Sequence, residues 1–265
     1  MQKILTVIFV ILIYGCTFTE TPTPSPTPIT LAVLSEGCKS SGQVISAELP
    51  EEAGRNPYSY RIYIPPCLSP DGSSRYPVLY LIPGSRSSPD SWLKAGLPQE
   101  MDQLILAGKI SPIIIVVTEN TDNDLQADTI YKELIPSIES QYPIASDRRY
   151  RAVAGGSLGG ISAYHLAFQH PDTFSSAGIF GAGVIKGEEA QVRFWLAQMN
   201  DANRTRVFMN SGEQDAPMLE RARAMKSILD EAGVENELYV DQGGHHYKYW
   251  VPNFERYLTW LEKDW

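Results

Sequence analysis

Cysteine and histidine are scarce in this chain of 265 residues, which contains three cysteines and four histidines. Nowhere do cysteines, histidines and carboxylates show the spacing of a metal site, and the zinc motif His-Glu-x-x-His does not occur. The phosphate-binding loop Gly-x-x-x-x-Gly-Lys-Ser/Thr is missing as well. From these absences we expect neither a metal site nor a bound cofactor.

Basic residues are also in the minority. Lysine and arginine number 22 against 31 aspartates and glutamates, which gives a formal net charge of −9 at pH 7. An acidic surface repels nucleic acid and gains nothing from anionic lipid headgroups. We therefore expect no nucleic-acid partner, and membrane association only through an attached lipid.

An apolar run at the start of the chain, residues 4–14, is too short to cross a bilayer as a permanent helix. Lys3 precedes the run, which ends in Ile13-Tyr14-Gly15-Cys16 and resembles a bacterial lipobox. We predict that residues 1–16 are a signal peptide with a lipobox. Lipidation of Cys16 would anchor the exported protein to a membrane surface of the bacterial cell envelope, with plain secretion as the alternative.

Proline and threonine dominate the next segment, where residues 21–28 read Thr-Pro-Thr-Pro-Ser-Pro-Thr-Pro. Such a tract cannot bury a core and favours a stiff spacer. We predict a linker over residues 17–35 and one domain over residues 36–265, a length that suits a single α/β core. Near the start of this domain, Cys38 and Cys67 could pair in an oxidising compartment; two buried thiols are the alternative.

The most informative segment is Gly155-Gly156-Ser157-Leu158-Gly159. An apolar strand precedes this Gly-x-Ser-x-Gly motif and a helical pattern follows it, as a nucleophile elbow requires. The glycines leave room for a strained turn, and the helix directs its positive end toward the oxygen that gains charge during acyl transfer. We predict that Ser157 is a nucleophile; a glycine turn without a catalytic role is the alternative.

A serine nucleophile needs a histidine that takes its proton and a carboxylate that orients this histidine. After an elbow of this type the acid and the histidine follow in that order, each on a loop after a strand. Asp215 follows the predicted strand 206–210, and His245 follows the predicted strand 237–240. We assign Asp215 as the orienting acid and His245 as the general base.

Each assignment has an alternative close by. Glu213 lies on the same loop as Asp215, but Asp215 lies further along it, where it can reach a neighbouring loop. His246 directly follows His245, and Gly243-Gly244 favours the first histidine because these glycines let the backbone approach closely. For the remaining histidines we expect structural roles. We expect His165 to be a packed side chain and His170 to be a cation at the end of a helix.

Further motifs resemble the esterase family of α/β-hydrolases, which includes feruloyl and acetyl-xylan esterases, S-formylglutathione hydrolase, enterochelin esterases and mycolyltransferases. The resemblance covers about residues 40–265. Its main segments are Tyr76-Pro-Val-Leu-Tyr-Leu-Ile-Pro-Gly84, Glu133-Leu-Ile-Pro136, Arg151-Ala-Val-Ala-Gly-Gly-Ser-Leu-Gly-Gly160, Ser211-Gly-Glu-Gln-Asp215 and Gly243-Gly-His-His-Tyr-Lys-Tyr-Trp250. The resemblance implies a triad of Ser157, Asp215 and His245 that needs no cofactor.

The chain departs from this family at the loop expected to bind an oxyanion. The family commonly has His-Gly there, whereas this chain has Pro83-Gly84-Ser85. Oxyanion donors are backbone N–H groups, and proline has none. We expect the N–H groups of Leu158 and Ser85 to bind the oxyanion, with Gly84 as the alternative to Ser85.

Strand-like and helical runs alternate along the domain, which predicts an α/β-hydrolase fold: a three-layer sandwich with a mostly parallel, doubly wound sheet. We expect two opening antiparallel strands at 43–49 and 60–64. The central strands are predicted at 78–82, 112–118, 150–154, 175–180, 206–210 and 237–240. Helices are predicted at 98–107, 128–141, 161–168, 187–199, 217–232 and 251–262.

The site of such a sheet lies at the carboxyl ends of its strands. Loops 85–92, 119–127 and 181–189 should therefore line the pocket. Trp92 and the polar stretch 119–124 are candidate substrate contacts, although packing and a solvated turn are their more common roles. Three aromatic residues are expected to anchor the last helix against the sheet: Tyr247, Tyr249 and Trp250.

The favoured interpretation is hydrolysis of a carboxylic ester through an acyl-enzyme, on an extracellular acylated carbohydrate or a related ester. An acyltransferase with the same triad would differ only in its acceptor. A surface-binding protein on a hydrolase scaffold is a further alternative. The sequence leaves the oligomeric state open.

Overall fold

The structure is a computed structural model that describes residues 29–50, 57–69, 72, 74–120 and 125–265. The predicted signal peptide, Cys16 and residues 17–28 of the predicted linker lie outside the described residues. So do residues 121–124, which make up most of the polar stretch expected beside the pocket. The lipid anchor and the spacer therefore stay predictions.

Eight strands form one sheet: β1 Gln43–Leu49, β2 Tyr58–Ile64, β3 Val78–Ile82, β4 Ile114–Val117, β5 Arg151–Gly156, β6 Ser176–Phe180, β7 Arg206–Gly212 and β8 Asn236–Asp241. Their order in the sheet is β1-β2-β4-β3-β5-β6-β7-β8. The β1–β2 and β2–β4 pairs are antiparallel, and the five other pairs are parallel. The predicted mostly parallel sheet with antiparallel opening strands is confirmed.

The central strands are buried on both faces. All five residues of β3 are buried. Val78, Tyr80 and Ile82 belong to one apolar cluster, whereas Leu79 and Leu81 belong to another. Because successive side chains of a strand point to opposite faces, a strand covered on both sides must be apolar throughout. This explains the continuous apolar runs from which the strands are predicted.

Helices cover both faces and complete the predicted three layers. Those of the described chain are α1 Asp90–Lys94, α2 Leu97–Leu106, α3 Leu125–Thr129, α4 Ile135–Gln141, α5 Leu158–Gln169, α6 Glu189–Ala197, α7 Ala216–Glu231, α8 Tyr247–Trp250 and α9 Phe254–Leu261. Side chains of α4 to α7 lie in the first cluster, and those of α1, α2, α8 and α9 in the second. None of the described helices is long and apolar enough to span a membrane.

A π-helical turn over Ile130–Leu134 joins α3 to α4, within the predicted helix 128–141. At its end the Ile135 N–H donates to the Ile130 carbonyl, five residues back. Pro136 lies in the first turn of α4 and has no N–H that could continue an α-helical ladder. The wider turn accommodates this missing donor.

The first described residues pair with the segment just before β3. The Ala32 N–H donates to the Arg75 carbonyl, the Arg75 N–H donates to the Thr30 carbonyl, and both distances are 2.9 Å. Ala32 is buried in the first cluster, so the end of the predicted linker already packs against the domain. Cys38 and Cys67 form a disulfide in the structure, with their Cα atoms 6.0 Å apart.

Candidate active site

Ser157 forms the turn between β5 and α5. Its backbone has φ 55° and ψ −123°, a left-handed conformation that costs a residue with a side chain strain energy. Helix α5 begins at Leu158, the next residue, which is three residues before the predicted start. The Ser157 N–H donates to the Phe180 carbonyl at 2.8 Å and fixes the turn to β6.

Close backbone contacts require the two glycines that flank this turn. A Cβ on Gly159 would lie 2.3 Å from the Ile82 carbonyl oxygen and 2.4 Å from that of Pro83. A Cβ on Gly155 would lie 2.3 Å from the carbonyl group of Gly159. All three distances are far below van der Waals contact. The glycines therefore let the start of α5 lie against the loop after β3, beside Ser157.

The three side chains predicted to act together are adjacent. His245 Nε2 lies 2.8 Å from Ser157 Oγ, and His245 Nδ1 lies 2.6 Å from Asp215 Oδ2. The Asp215 side chain is only 10% exposed, whereas that of His245 is 38% exposed. With Nδ1–H donating to Asp215, Nε2 can accept the proton of the Ser157 hydroxyl. This row of hydrogen bonds has the geometry that activates a serine.

The alternative acid and base have other partners. The Glu213 carboxylate accepts a hydrogen bond from the side-chain amide of Gln242. His246 caps helix α8, because its Nδ1 accepts a hydrogen bond from the Tyr249 N–H at 3.0 Å. His165 Nε2 lies 2.5 Å from Glu188, and the ring of His170 stacks on that of Tyr131 with centroids 3.8 Å apart.

The N–H groups predicted to bind an oxyanion differ in their availability. The Gly84 N–H donates to the Tyr247 hydroxyl at 2.7 Å and is thereby occupied. No hydrogen bond within the described chain uses the N–H of Ser85 or of Leu158, and both residues line the same pocket as Ser157. Leu158 is also the first residue of α5, so its N–H is one that a helix leaves unpaired. The geometry therefore favours Ser85 and Leu158.

Side chains hold the loop in which this chain departs from the family pattern. Besides the bond between Tyr247 and Gly84, the Asn120 side-chain amide donates to the Pro83 carbonyl at 2.9 Å. Tyr247 begins α8 directly after the loop 242–246, which carries His245 and is called the histidine loop below. The loop after β3 is therefore bonded to the end of the histidine loop. The sequence alone gives no signal for this contact, which joins residues 163 positions apart.

Trp92 is a packing residue, not a substrate platform. It is fully buried and contacts the rings of Phe180, Tyr247, Trp250 and Phe254. Trp250 in turn packs edge-on against the His245 ring, with centroids 5.2 Å apart. The aromatic residues after His245 thus support the histidine as well as the end of the sheet, which goes beyond the predicted anchoring of the last helix.

A buried polar network fixes the histidine loop to the end of β7. The Tyr249 hydroxyl donates to the Asp241 carboxylate and accepts from the Asn210 side-chain amide at 3.0 Å. Burial, followed by the hydrogen bond to Asp241, raises the pKa of Tyr249, so its hydroxyl stays protonated. The Tyr249 ring lies against Gly243, where a Cβ would come within 2.1 Å of the ring.

A pocket of about 440 Å³ opens beside Ser157 and His245. Of the three loops expected to line it, two contribute a residue each, Ser85 and Ala182. Helices α5 and α7 also line the pocket, which the sequence patterns do not predict; their lining residues include Ile161, Pro217, Met218 and Arg221. No group of three or more histidine, cysteine or acidic side chains among the described residues is arranged to hold a metal.

Comparison with known proteins connects this chain to a family. The Esterase family model, described as "Putative esterase", matches residues 52–261. An endo-1,4-beta-xylanase/feruloyl esterase of Xylanibacter ruminicola is 31% identical over 208 residues, which are 71% of this chain. The chain spans only 26% of the length of that relative.

Solved structures of similar proteins share the fold. The feruloyl esterase module from Clostridium thermocellum has a TM-score of 0.74 at 15% identity, over 90% of this chain and 96% of that one. S-formylglutathione hydrolase from Staphylococcus aureus has a TM-score of 0.62 at 15% identity, over 84% of this chain and 98% of that one. These likenesses confirm the predicted fold. Because the family model covers most of the chain, this protein belongs to the Esterase family, as its motifs predict.

Proposed function

We propose that the protein is a serine carboxylic-ester hydrolase that works through an acyl-enzyme. The observation that carries the proposal is the hydrogen-bonded row from Ser157 through His245 to Asp215, which lies at the carboxyl edge of the sheet beside a pocket. A buried carboxylate, a half-exposed imidazole and a hydroxyl in this order are the groups that acyl transfer requires.

In the first step, Ser157 Oγ attacks the ester carbonyl while His245 Nε2 takes the hydroxyl proton. Asp215 accepts from Nδ1–H and stabilises the imidazolium that forms. The negative charge moves to the former carbonyl oxygen, for which the N–H groups of Ser85 and Leu158 are available. His245 then gives its proton to the alcohol, which leaves.

In the second step, water attacks the acyl-enzyme. His245 takes a proton from the water, the same N–H groups stabilise the second tetrahedral intermediate, and Ser157 Oγ leaves with the proton. The carboxylic acid is released and the site returns to its starting state. Both steps use only groups of this chain.

The substrate we propose is an extracellular acylated carbohydrate or a related ester. The relative from Xylanibacter ruminicola carries feruloyl esterase in its name, and so does the module from Clostridium thermocellum. Export with a lipid on Cys16, a linker over residues 17–35 and a hydrolase domain over residues 36–265 form part of the same proposal. A tethered, exported enzyme suits substrates outside the cell.

The first test is turnover of 4-nitrophenyl acetate and butyrate, methyl ferulate and acetylated xylan by the full chain, before and after treatment with a fluorophosphonate. We expect hydrolysis of at least one ester and its complete loss when one phosphonyl group per chain is found on the Ser157 peptide. A folded protein that turns over none of the esters and takes up no label would refute the proposal. Transfer of the acyl group to added glycerol, in place of release as the acid, would assign an acyltransferase instead.

Two neighbouring glycines provide a steric test of the histidine loop. Gly243→Ala would force a Cβ to within 2.1 Å of the Tyr249 ring, whereas the nearest atom to a Cβ on Gly244 lies at 3.7 Å. We expect Gly243→Ala to lower kcat/KM for 4-nitrophenyl acetate about 100-fold, because a displacement of His245 by about 1 Å has that cost.

Gly244→Ala is the matched control, for which we expect kcat/KM within about threefold of the wild type and an unchanged Tm. Equal losses in the two variants would show that Tyr249 does not set the position of the loop.

A further inference from the structure

Arg221 brings a positive charge into the pocket beside Ser157. It lines that pocket together with Ser157 and His245, and it is partly buried. The only other titratable side chains of the described lining are those of Asp215 and His245, which are hydrogen-bonded to each other. The guanidinium is therefore the one charged group of the described lining that the acyl-transfer chemistry does not use.

The position of Arg221 on α7 directs it toward this pocket. Arg221 lies four residues after Pro217 and three after Met218, so the three share one face of the helix, and all three line the pocket. Side chains on a helix lean toward its N-terminus. Because α7 begins directly after Asp215, that direction leads toward the row of catalytic groups.

The Arg221 guanidinium has no hydrogen bond and no ion pair within the described part of the chain. This distinguishes it from the other arginines that are buried or half-buried there, each of which donates to a carboxylate or a carbonyl: Arg61, Arg148, Arg151, Arg204 and Arg206. Because Arg221 lines the pocket and has no protein partner in the described chain, its N–H donors are available to an acceptor on a ligand.

The carboxylate that contacts α5 already has partners. Glu188 accepts from the Tyr164 hydroxyl at 2.7 Å and lies 2.5 Å from His165. Burial, followed by the bond to Glu188, raises the pKa of Tyr164, while the charge of Arg221 acts in the opposite direction. The charge of Arg221 therefore acts on Tyr164 of α5, while no ion pair joins Arg221 to Glu188 in the described structure.

We infer that Arg221 binds a carboxylate group of the substrate, so that the preferred ester carries a negative charge on its acyl or its alcohol part. This inference rests on the proposed ester hydrolysis. Arginine suits the role because its planar guanidinium donates two parallel hydrogen bonds to a carboxylate. The chain has a net charge of −9, which repels an anionic substrate, so a local cation such as Arg221 favours its binding.

The test compares matched anionic and neutral esters. For the acyl side the pair is 4-nitrophenyl hemiadipate and its methyl ester, and for the alcohol side it is 4-acetoxybenzoate and its methyl ester. The quantity measured is the ratio of kcat/KM for the anionic ester to that for the neutral ester. It is determined for the wild type, Arg221→Gln, Arg221→Lys and the control Arg223→Gln, which removes the same charge from an exposed position on the same helix.

We expect Arg221→Gln to lower this ratio about 10- to 100-fold in one of the two pairs, which also identifies the side of the ester that carries the carboxylate. Arg221→Lys should keep much of the ratio, and Arg223→Gln should leave it unchanged. Equal ratios in all four proteins would overturn the inference while ester hydrolysis stands. Absence of Ser157-dependent turnover of every ester would instead refute the proposed function, and the inference with it.

Discussion

Ser157→Ala is expected to lower kcat for ester hydrolysis by about 10⁴- to 10⁶-fold. The substitution removes the only hydroxyl within hydrogen-bond distance of His245 Nε2 in the described chain. Without it no acyl-enzyme forms, and water must attack the bound ester directly. Alanine adopts the backbone conformation of position 157 at a cost similar to that of serine, so the fold should persist. Burst and steady-state kinetics with 4-nitrophenyl acetate measure the effect.

The control for this variant is Ser162→Ala, one turn further along α5. The Ser162 hydroxyl donates to the Leu158 carbonyl at 3.2 Å and lies outside the row of catalytic groups. Its loss should change kcat by no more than about twofold. If Ser157→Ala kept a tenth of the activity, the nucleophile would have to be another group.

The second large effect is expected for Asp215→Asn, which should lower kcat about 10⁴-fold with little change in Tm. An asparagine amide in this position donates to Nδ1 and thereby places the imidazole proton on Nε2, so the ring can no longer accept the proton of Ser157. The carboxylate that stabilises the imidazolium is lost as well. The readout is kcat over the pH range from 5 to 9, together with circular dichroism.

Glu213→Gln is the isosteric control on the same loop, two residues before Asp215. Glu213 accepts a hydrogen bond from Gln242, and no contact of its side chain with His245 exists in the described structure. We expect kcat within about threefold of the wild type. A larger loss for Glu213→Gln than for Asp215→Asn would reverse the assignment of the acid.

The fold could be predicted from the sequence because its main signals are local. Continuous apolar runs such as β4 indicate strands covered on both faces, and longer amphipathic segments such as α7 indicate the covering helices. The short helices α1 and α8 escape prediction, since five and four residues are too few to show a period.

The candidate site, like the fold, could be predicted from the sequence only in part. The elbow motif and the chain order select Ser157, Asp215 and His245, and the structure places these three side chains in contact. The hydrogen bond that occupies Gly84 could not be predicted, because its acceptor Tyr247 begins helix α8, which only the tertiary fold brings near. Arg221 was missed for a similar reason: on the sequence it is one of several charges on an amphipathic helix.

The first described residues and the candidate site lie at opposite ends of the sheet, which bears on the predicted lipid anchor. The chain enters the fold beside Arg75, near the amino end of β3, while Ser85 follows the carboxyl end of the same strand. An anchor upstream of Thr30 would thus attach to the end of the sheet opposite Ser85, and the pocket would face away from that anchor. An extended spacer adds about 3 Å of reach per residue. With the predicted anchor and spacer, the pocket would reach esters at some distance from the membrane surface.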